Sequence, residues 1–117
     1  MVESTDSKTI TPAHRAALLG HRGAILWLTG LSASGKSTLA SALEKNLFAK
    51  RVLPVVLDGD VLRTGLSRGL NFTEADRKEN IRRAAEAALL LAEAGAVVIT
   101  ALISPFREDR RQILDRC

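Results

Sequence analysis

Ala24-Ile-Leu-Trp-Leu-Thr-Gly-Leu-Ser-Ala-Ser-Gly-Lys-Ser-Thr38 is the stretch from which the architecture follows. Ala24 to Thr29 is an apolar run that reads as a buried strand. Gly30, Leu31, Ser32, Ala33, Ser34, Gly35, Lys36 and Ser37 follow at once, with the spacing G-x-x-x-x-G-K-S. From Lys36 to Lys50, Leu39, Leu43 and Leu47 recur every four residues, the stripe of an amphipathic helix. Strand, glycine loop and helix in that order suit a phosphate group. The glycines let the backbone wrap closely, so that successive N–H groups point at phosphate oxygens. The helix adds its positive N-terminal end. Lys36 then reaches the β- and γ-phosphates, and the Ser37 hydroxyl suits a magnesium ion. The competing reading is a Gly/Ser-rich turn with a solvated lysine; the flanking strand and helix weigh against it.

Working outward, residues 1–12 are rich in Ser, Thr and charge and are expected to form a flexible arm, with one domain from 13 to 117. Pro12 opens a short helix over Ala13 to Leu19, closed by Gly20. Val52 to Leu57 is β-branched and apolar and reads as a second strand, although Pro54 argues against its being central from end to end. Thr73 to Asp76 has the form of a capping box, with Asp in place of Glu. A long Ala-rich helix follows to Ala94, and Gly95 stands where a C-terminal cap belongs. Ala96 to Leu102 is a third strand, and Ser104-Pro105 starts a charged helix. Alternating strands and helices give an α/β layered domain with a parallel sheet.

The composition narrows the partners. Among 117 residues, 17 Lys and Arg stand against 13 Asp and Glu, a net charge of +4 that suits an anionic ligand. Trp27, Phe48, Phe72 and Phe106 are the aromatic side chains, too few for a base-stacking nucleic-acid surface. The single cysteine, Cys117, allows no disulfide framework and reads as an inert thiol. The longest apolar run, Ala96 to Ile103, is far short of a membrane span and is interrupted by Thr100. The polar N-terminus lacks a signal-peptide layout, so no membrane association and a cytoplasmic setting are expected.

Asp58-Gly59-Asp60 follows the second strand, where ligands bind in open α/β sheets. Two carboxylates there can arrange hydrated magnesium and accept a hydroxyl proton. A tight Asp-Gly turn accounts for the same residues equally well. The phosphate loop one strand earlier tilts the balance towards chemistry. Arg63, Arg68, Arg77, Lys78, Arg82 and Arg83 come next. Guanidinium forks bind phosphate and sulfate, yet each arginine taken singly reads as surface, and Glu79 with Arg83 has helical i,i+4 spacing.

Four segments together carry a resemblance: Trp27 to Thr38, Leu57-Asp-Gly-Asp60, Glu79-Asn-Ile-Arg-Arg83 and Ile103-Ser-Pro-Phe-Arg107. In this order they resemble the motifs of the adenylylsulfate kinases, from about Leu18 to the chain end. The resemblance implies a P-loop NTPase-type, three-layer α/β/α fold, here with about three strands. It implies transfer of the γ-phosphate of ATP to the 3′-hydroxyl of adenosine 5′-phosphosulfate, with Mg2+. By the same resemblance, Gly30 to Thr38 hold ATP, and Asp58 arranges a metal-bound water. Asp60 is the acidic residue beside the accepting hydroxyl, and Lys36 serves the phosphates. Arg63, Arg77 and Asn80 bind the phosphosulfate, and Phe72 packs on the substrate adenine. Ile103 and Ser104 line that pocket. Ser104 also matches a phosphoserine position of the family, but a serine before proline is an ordinary helix cap, and direct transfer is favoured. A homodimer, or association with a sulfate adenylyltransferase, is a further expectation.

The sequence departs from the family pattern at Val61, Leu62 and Thr64, around a retained Arg63, and at Ala33 in the phosphate loop. Family members also continue past the position of Cys117 with further strands and a basic lid. Three strands with an unpaired edge are therefore expected to leave apolar surface exposed. The alternative to a kinase is a truncated, non-catalytic nucleotide-binding or association module of the same descent. A GTPase is disfavoured by the lack of an Asn-Lys-x-Asp stretch.

Overall fold

A computed structural model describes residues 9–28 and 35–102; the side chains of Lys36, Ser37 and Asp60 lie outside that description. The elements run α1 (Pro12–Leu19), β1 (Ala24–Leu28), α2 (Lys36–Ala49), β2 (Pro54–Asp58), α3 (Gly59–Arg63), α4 (Glu74–Glu93) and β3 (Val97–Ala101). The expected first helix, three strands and two longer helices are present with ends shifted by one or two residues. The expected helix from Ser104 lies outside the described residues. The sequence reading had no counterpart of α3.

The three strands pair in parallel in the order β1-β3-β2. Ala24 to Leu28 aligns with Val97 to Ala101, which aligns in turn with Pro54 to Asp58. All five residues of β3 are buried, as a continuous apolar strand covered on both faces should be. Its one polar member, Thr100, donates its hydroxyl to the Leu26 carbonyl at 3.1 Å. The objection raised by Pro54 is answered by position. Pro54 is the first residue of β2, at the outside of the described sheet. The adjoining ladder bond runs from the Val97 N–H to the Leu53 carbonyl at 2.8 Å, so the missing proline donor leaves it intact.

Strand alternation sorts the core into two halves. On one face Leu28, Val56, Ile99 and Ala101 pack with Ala40, Leu43 and Leu47 of α2. On the other, Ile25, Val55, Leu57 and Val98 pack with Ala88, Leu91 and Ala92 of α4. Trp27 lies on this second face against Ile81, Ala84 and Ala85. The layers are thus helix, sheet, helix. The leucine stripe of α2 needs one correction, because Leu39 is 50% exposed and Ala40 is buried instead. A strict four-residue repeat drifts by about 40° per step on a helix of 3.6 residues per turn, whereas positions 40, 43 and 47 stay on one face. Leu39 and Leu26, the latter 38% exposed, form part of the apolar surface that a short sheet was expected to leave open.

Helix ends follow the sequence closely. Thr11 accepts from the His14 N–H while the His14 ring accepts from the Thr11 N–H, a reciprocal cap on α1. At α4 only half of the expected capping box forms. Thr73 accepts from the Asp76 N–H at 3.1 Å, but the Asp76 carboxylate takes the Asn71 N–H at 2.9 Å. Gly95, with φ +109°, ends α4, and Arg15 of α1 donates to the Glu93 carbonyl there, placing a cation at the negative end of the helix. Gly23 approaches α4 so closely that a Cβ would collide with the Ala92 carbonyl. Gly23→Ala should therefore cost about 1–3 kcal/mol in denaturant unfolding. Leu18→Ala, at a position 84% exposed, should shift stability by less than about 0.5 kcal/mol.

Candidate functional site

Parallel pairing brings the carboxyl ends of all three strands to one side, since Leu28, Ala101 and Asp58 are aligned across the sheet. The phosphate-loop segment leaves β1 at this side and re-enters the described chain at Gly35, which precedes α2 with φ +82°. A left-handed residue there is natural for glycine and strained for others, by roughly 1–2 kcal/mol. Gly30, Leu31, Ser32, Ala33 and Ser34 lie outside the described residues, as do the side chains of Lys36 and Ser37. The backbone of Lys36 and Ser37 forms the first turn of α2, with Thr38 exposed beside it. The free N–H groups and positive end of a 14-residue helix therefore stand beside the strand ends.

Asp58 is the last residue of β2 and half-buried. The chain passes directly from it into α3, so Gly59 and Asp60 belong to a helical turn rather than a loose acidic loop. Leu62 explains that turn, because it is buried against Ala84 and Leu102 and pins α3 to α4 and the end of β3. Asp58 and Ser37 bring oxygen donors only, which suits magnesium, an ion that keeps several waters. No group of three or more His, Cys, Asp or Glu gathers among the described residues.

The other expected substrate residues lie along α3 and the start of α4. The Arg63 guanidinium sits 4.1 Å from the centre of the Phe72 ring, a cation–π stack. Phe72 remains 64% exposed. One turn into α4, Arg77 is exposed and has no acidic partner among the described residues. Three residues on, Asn80 is only 8% exposed, and its Oδ1 has no hydrogen-bond partner there. Ile103 and Ser104 lie outside the described residues; Leu102, just before them, is buried.

The remaining cations have other tasks. Lys78 pairs with Glu74 at 3.6 Å. Glu79 accepts from Arg82 Nε at 2.8 Å, Arg82 Nη2 at 2.7 Å and Arg83 Nε at 2.7 Å. Hydrogen bonds from Arg82 and then Arg83 hold its carboxyl down to about 2 from an ordinary 4.5, against a smaller opposing effect of burial. The i,i+4 spacing signalled the Arg83 half of this arrangement. The Arg82 fork was not anticipated, nor was α3, whose signal is the apolar pair Val61-Leu62.

A parallel sheet between helix layers, with a G-x-x-x-x-G-K-S segment leaving its first strand, defines a P-loop NTPase-type domain. The family model described as adenylylsulphate kinase matches residues 22–116, and the chain belongs to the adenylylsulphate kinase family. The adenylyl-sulfate kinase of Yersinia pestis is 56% identical over 106 residues, which cover 91% of this chain and 50% of that protein. The chain thus spans about half the length of this curated relative. A Mycobacterium tuberculosis APS kinase, solved in complex with AMPPNP and APS, is 44% identical with a TM-score of 0.75 over 80% of this chain and 54% of the other. The hexameric APS kinase from Thiobacillus denitrificans is 34% identical, with a TM-score of 0.76 over 88% of this chain and 22% of the other. The P-loop, three-layer α/β reading of the fold is borne out by these neighbours.

The depressed Glu79 carboxyl has a consequence for stability. Its contribution is fully present above about pH 4.5 and is lost as pH falls towards 2. The stability gap between the unsubstituted chain and Glu79→Gln should accordingly narrow from about pH 5 to about pH 3 in urea titrations. A gap that stays constant would show that the carboxylate is not held by the arginines.

Proposed function

We propose that the chain carries the catalytic and substrate-binding face of an adenylylsulfate kinase, an ATP-dependent phosphotransferase of sulfate assimilation. Its substrates are then ATP and adenosine 5′-phosphosulfate. The γ-phosphoryl group leaves the β-phosphate oxygen of ATP and bonds to the 3′-oxygen of the acceptor. The 3′-hydroxyl proton passes to the Asp60 carboxylate, giving ADP and 3′-phosphoadenosine 5′-phosphosulfate. Gly30 to Thr38 take the ATP phosphates, with Lys36 on the transferred group. Ser37 and, through water, Asp58 are the residues to hold magnesium, which when bound neutralises phosphate charge. Transfer of this kind needs positioning and charge more than covalent help from the protein, so Ser104 is assigned to the pocket lining beside Ile103.

The observation that carries the reading is the state of Arg77, Asn80 and the stacked pair Arg63 and Phe72. These combine an exposed guanidinium without an acidic partner among the described residues, a buried amide oxygen without a partner there, and an aromatic ring that stays exposed beneath the Arg63 guanidinium. These suit an anionic group joined to a purine nucleoside. The family match and the AMPPNP and APS complex of a relative support the same substrates. A cytoplasmic setting, where ATP is available, belongs to the proposal; no helix among the described residues is long and apolar enough to cross a membrane. Self-association is supported by the hexameric relative, and association with a sulfate adenylyltransferase stands as a further proposal.

An assay for ADP release with magnesium-ATP, with and without adenylylsulfate, tests the reading. Turnover that depends on adenylylsulfate supports it. A folded chain that binds ATP without turnover supports the non-catalytic module instead. Lys36→Ala should abolish transfer while leaving the circular dichroism spectrum intact; undiminished turnover would overturn the phosphate-loop assignment. Arg77→Ala should weaken adenylylsulfate binding by about 1.5–3 kcal/mol, the range for a charged hydrogen bond, with a smaller loss for ATP. Equal losses in calorimetric titrations would remove Arg77 from the sulfate side.

A further inference from the structure

Arg83 does more than pair with Glu79. Its Nε donates to Glu79 on the same helix, while its Nη1 donates at 3.0 Å to the Leu66 carbonyl, 17 residues earlier in the chain. That carbonyl belongs to the segment 64–71, which joins Arg63 to Phe72, the two partners of the cation–π stack. Within the segment Ser67 is fully buried and Leu70 half-buried, while residues 64–66, 68, 69 and 71 are exposed. Gly65 and Gly69 bring no side chains, and the Leu66 side chain is exposed. Its other hydrogen bonds are local, among them Ser67 N–H to the Leu62 carbonyl at 2.7 Å, the Thr64 hydroxyl to the Val61 carbonyl at 2.7 Å and Asn71 N–H to Asp76 at 2.9 Å. Among the described residues, the side-chain hydrogen bond from the body of α4 to this segment comes from Arg83.

We propose that Arg83 is a positioning residue for the adenylylsulfate site, holding the Leu66 carbonyl so that Arg63 and Phe72 keep their stacked arrangement. The proposal rests on the reading of Arg63 and Phe72 as substrate-contacting residues. Arg83 itself touches no substrate. Glu79 is the other half of the device, because it fixes the plane and direction of the guanidinium through Nε and leaves Nη1 aimed across the helix. A planar fork with donors in fixed directions can serve two acceptors at once; a lysine ammonium on a flexible stem cannot be relied on to do so. Arginine rather than simple positive charge is therefore required. Arg82 shows the contrast: among the described residues its Nε and Nη2 both donate to Glu79.

The test uses the full chain and the variants Arg83→Ala and Arg83→Lys, titrated calorimetrically with adenosine 5′-phosphosulfate and separately with AMPPNP. Amide hydrogen exchange over residues 64–72 is followed in parallel. Arg83→Ala should speed exchange in that segment and weaken adenylylsulfate roughly tenfold, in line with loss of a charged hydrogen bond. AMPPNP affinity should stay within about twofold. Arg83→Lys, which keeps the charge beside Glu79, should preserve the fold and still lose most of the adenylylsulfate affinity. It decides the matter if Arg83→Ala does not fold. Equal losses for both ligands, with exchange rising throughout the chain, would overturn the proposal in favour of a general structural role. Full adenylylsulfate affinity in Arg83→Lys would overturn the need for two directed donors. An unsubstituted chain that binds AMPPNP but no adenylylsulfate would overturn the substrate reading itself, a failure distinct from unchanged affinity in the variants.

Discussion

Strand β3 is the constraint on which the rest of the molecule depends. It pairs in parallel with β1 on one side and β2 on the other, and both of its faces are covered by helices. Neither outer strand pairs with the other, so their alignment exists only through Val97 to Ala101. That alignment puts Leu28, Ala101 and Asp58 side by side and makes one edge of the sheet the departure point for the phosphate loop, for α3 and for the segment after Leu102. A central parallel strand carries little polar content, since groups buried there need partners. Thr100 meets the requirement by bonding the Leu26 carbonyl across the ladder.

The second level of organisation is the α3–α4 corner. Leu62 buries one short helix against the long one, and Arg83 ties the intervening segment back to α4. This corner carries polar groups that have no hydrogen-bond partner among the described residues, notably the Asn80 Oδ1. An unpaired buried polar atom costs about 1–3 kcal/mol, and such departures from complete pairing gather at binding sites. Arg77 beside it, without an acidic partner among the described residues, points the same way. The neighbouring Lys78, Arg82 and Arg83 are occupied by Glu74 and Glu79. Of the cations in this stretch, Lys78, Arg82 and Arg83 are thus engaged within α4, and Arg77 is left without an acidic partner among the described residues.

Much of the fold was legible because its signals are local. The apolar runs at 24–29 and 96–102 specify strands. Thr73 and Gly95 bracket α4, and the glycine loop between strand and helix announces phosphate chemistry. The misreadings were also physical in origin. Leu39 looks like a core residue by spacing, yet helix drift turns it to solvent and brings Ala40 inwards. Asp76 has the reach to serve Asn71 ahead of the helix, so the box that a longer Glu would close stays half made. α3 is a single turn whose stability comes from Leu62 packing, and no short helix of this kind is specified by propensity alone.

The sequence by itself determined the class of layers, the phosphate loop and the family, because each is written in contiguous residues whose spacing matches a local backbone geometry. It also supplied the candidate residues Asp58, Arg63, Phe72, Arg77 and Asn80. Tertiary structure alone decided the order β1-β3-β2 and hence which strand ends stand together, since pairing between distant segments leaves no local signature. It likewise decided that Arg63 stacks on Phe72, that Asn80 is buried without a partner among the described residues, and that Arg83 reaches back to Leu66. Those relations depend on how α4 packs across the sheet, and no spacing along the chain encodes that.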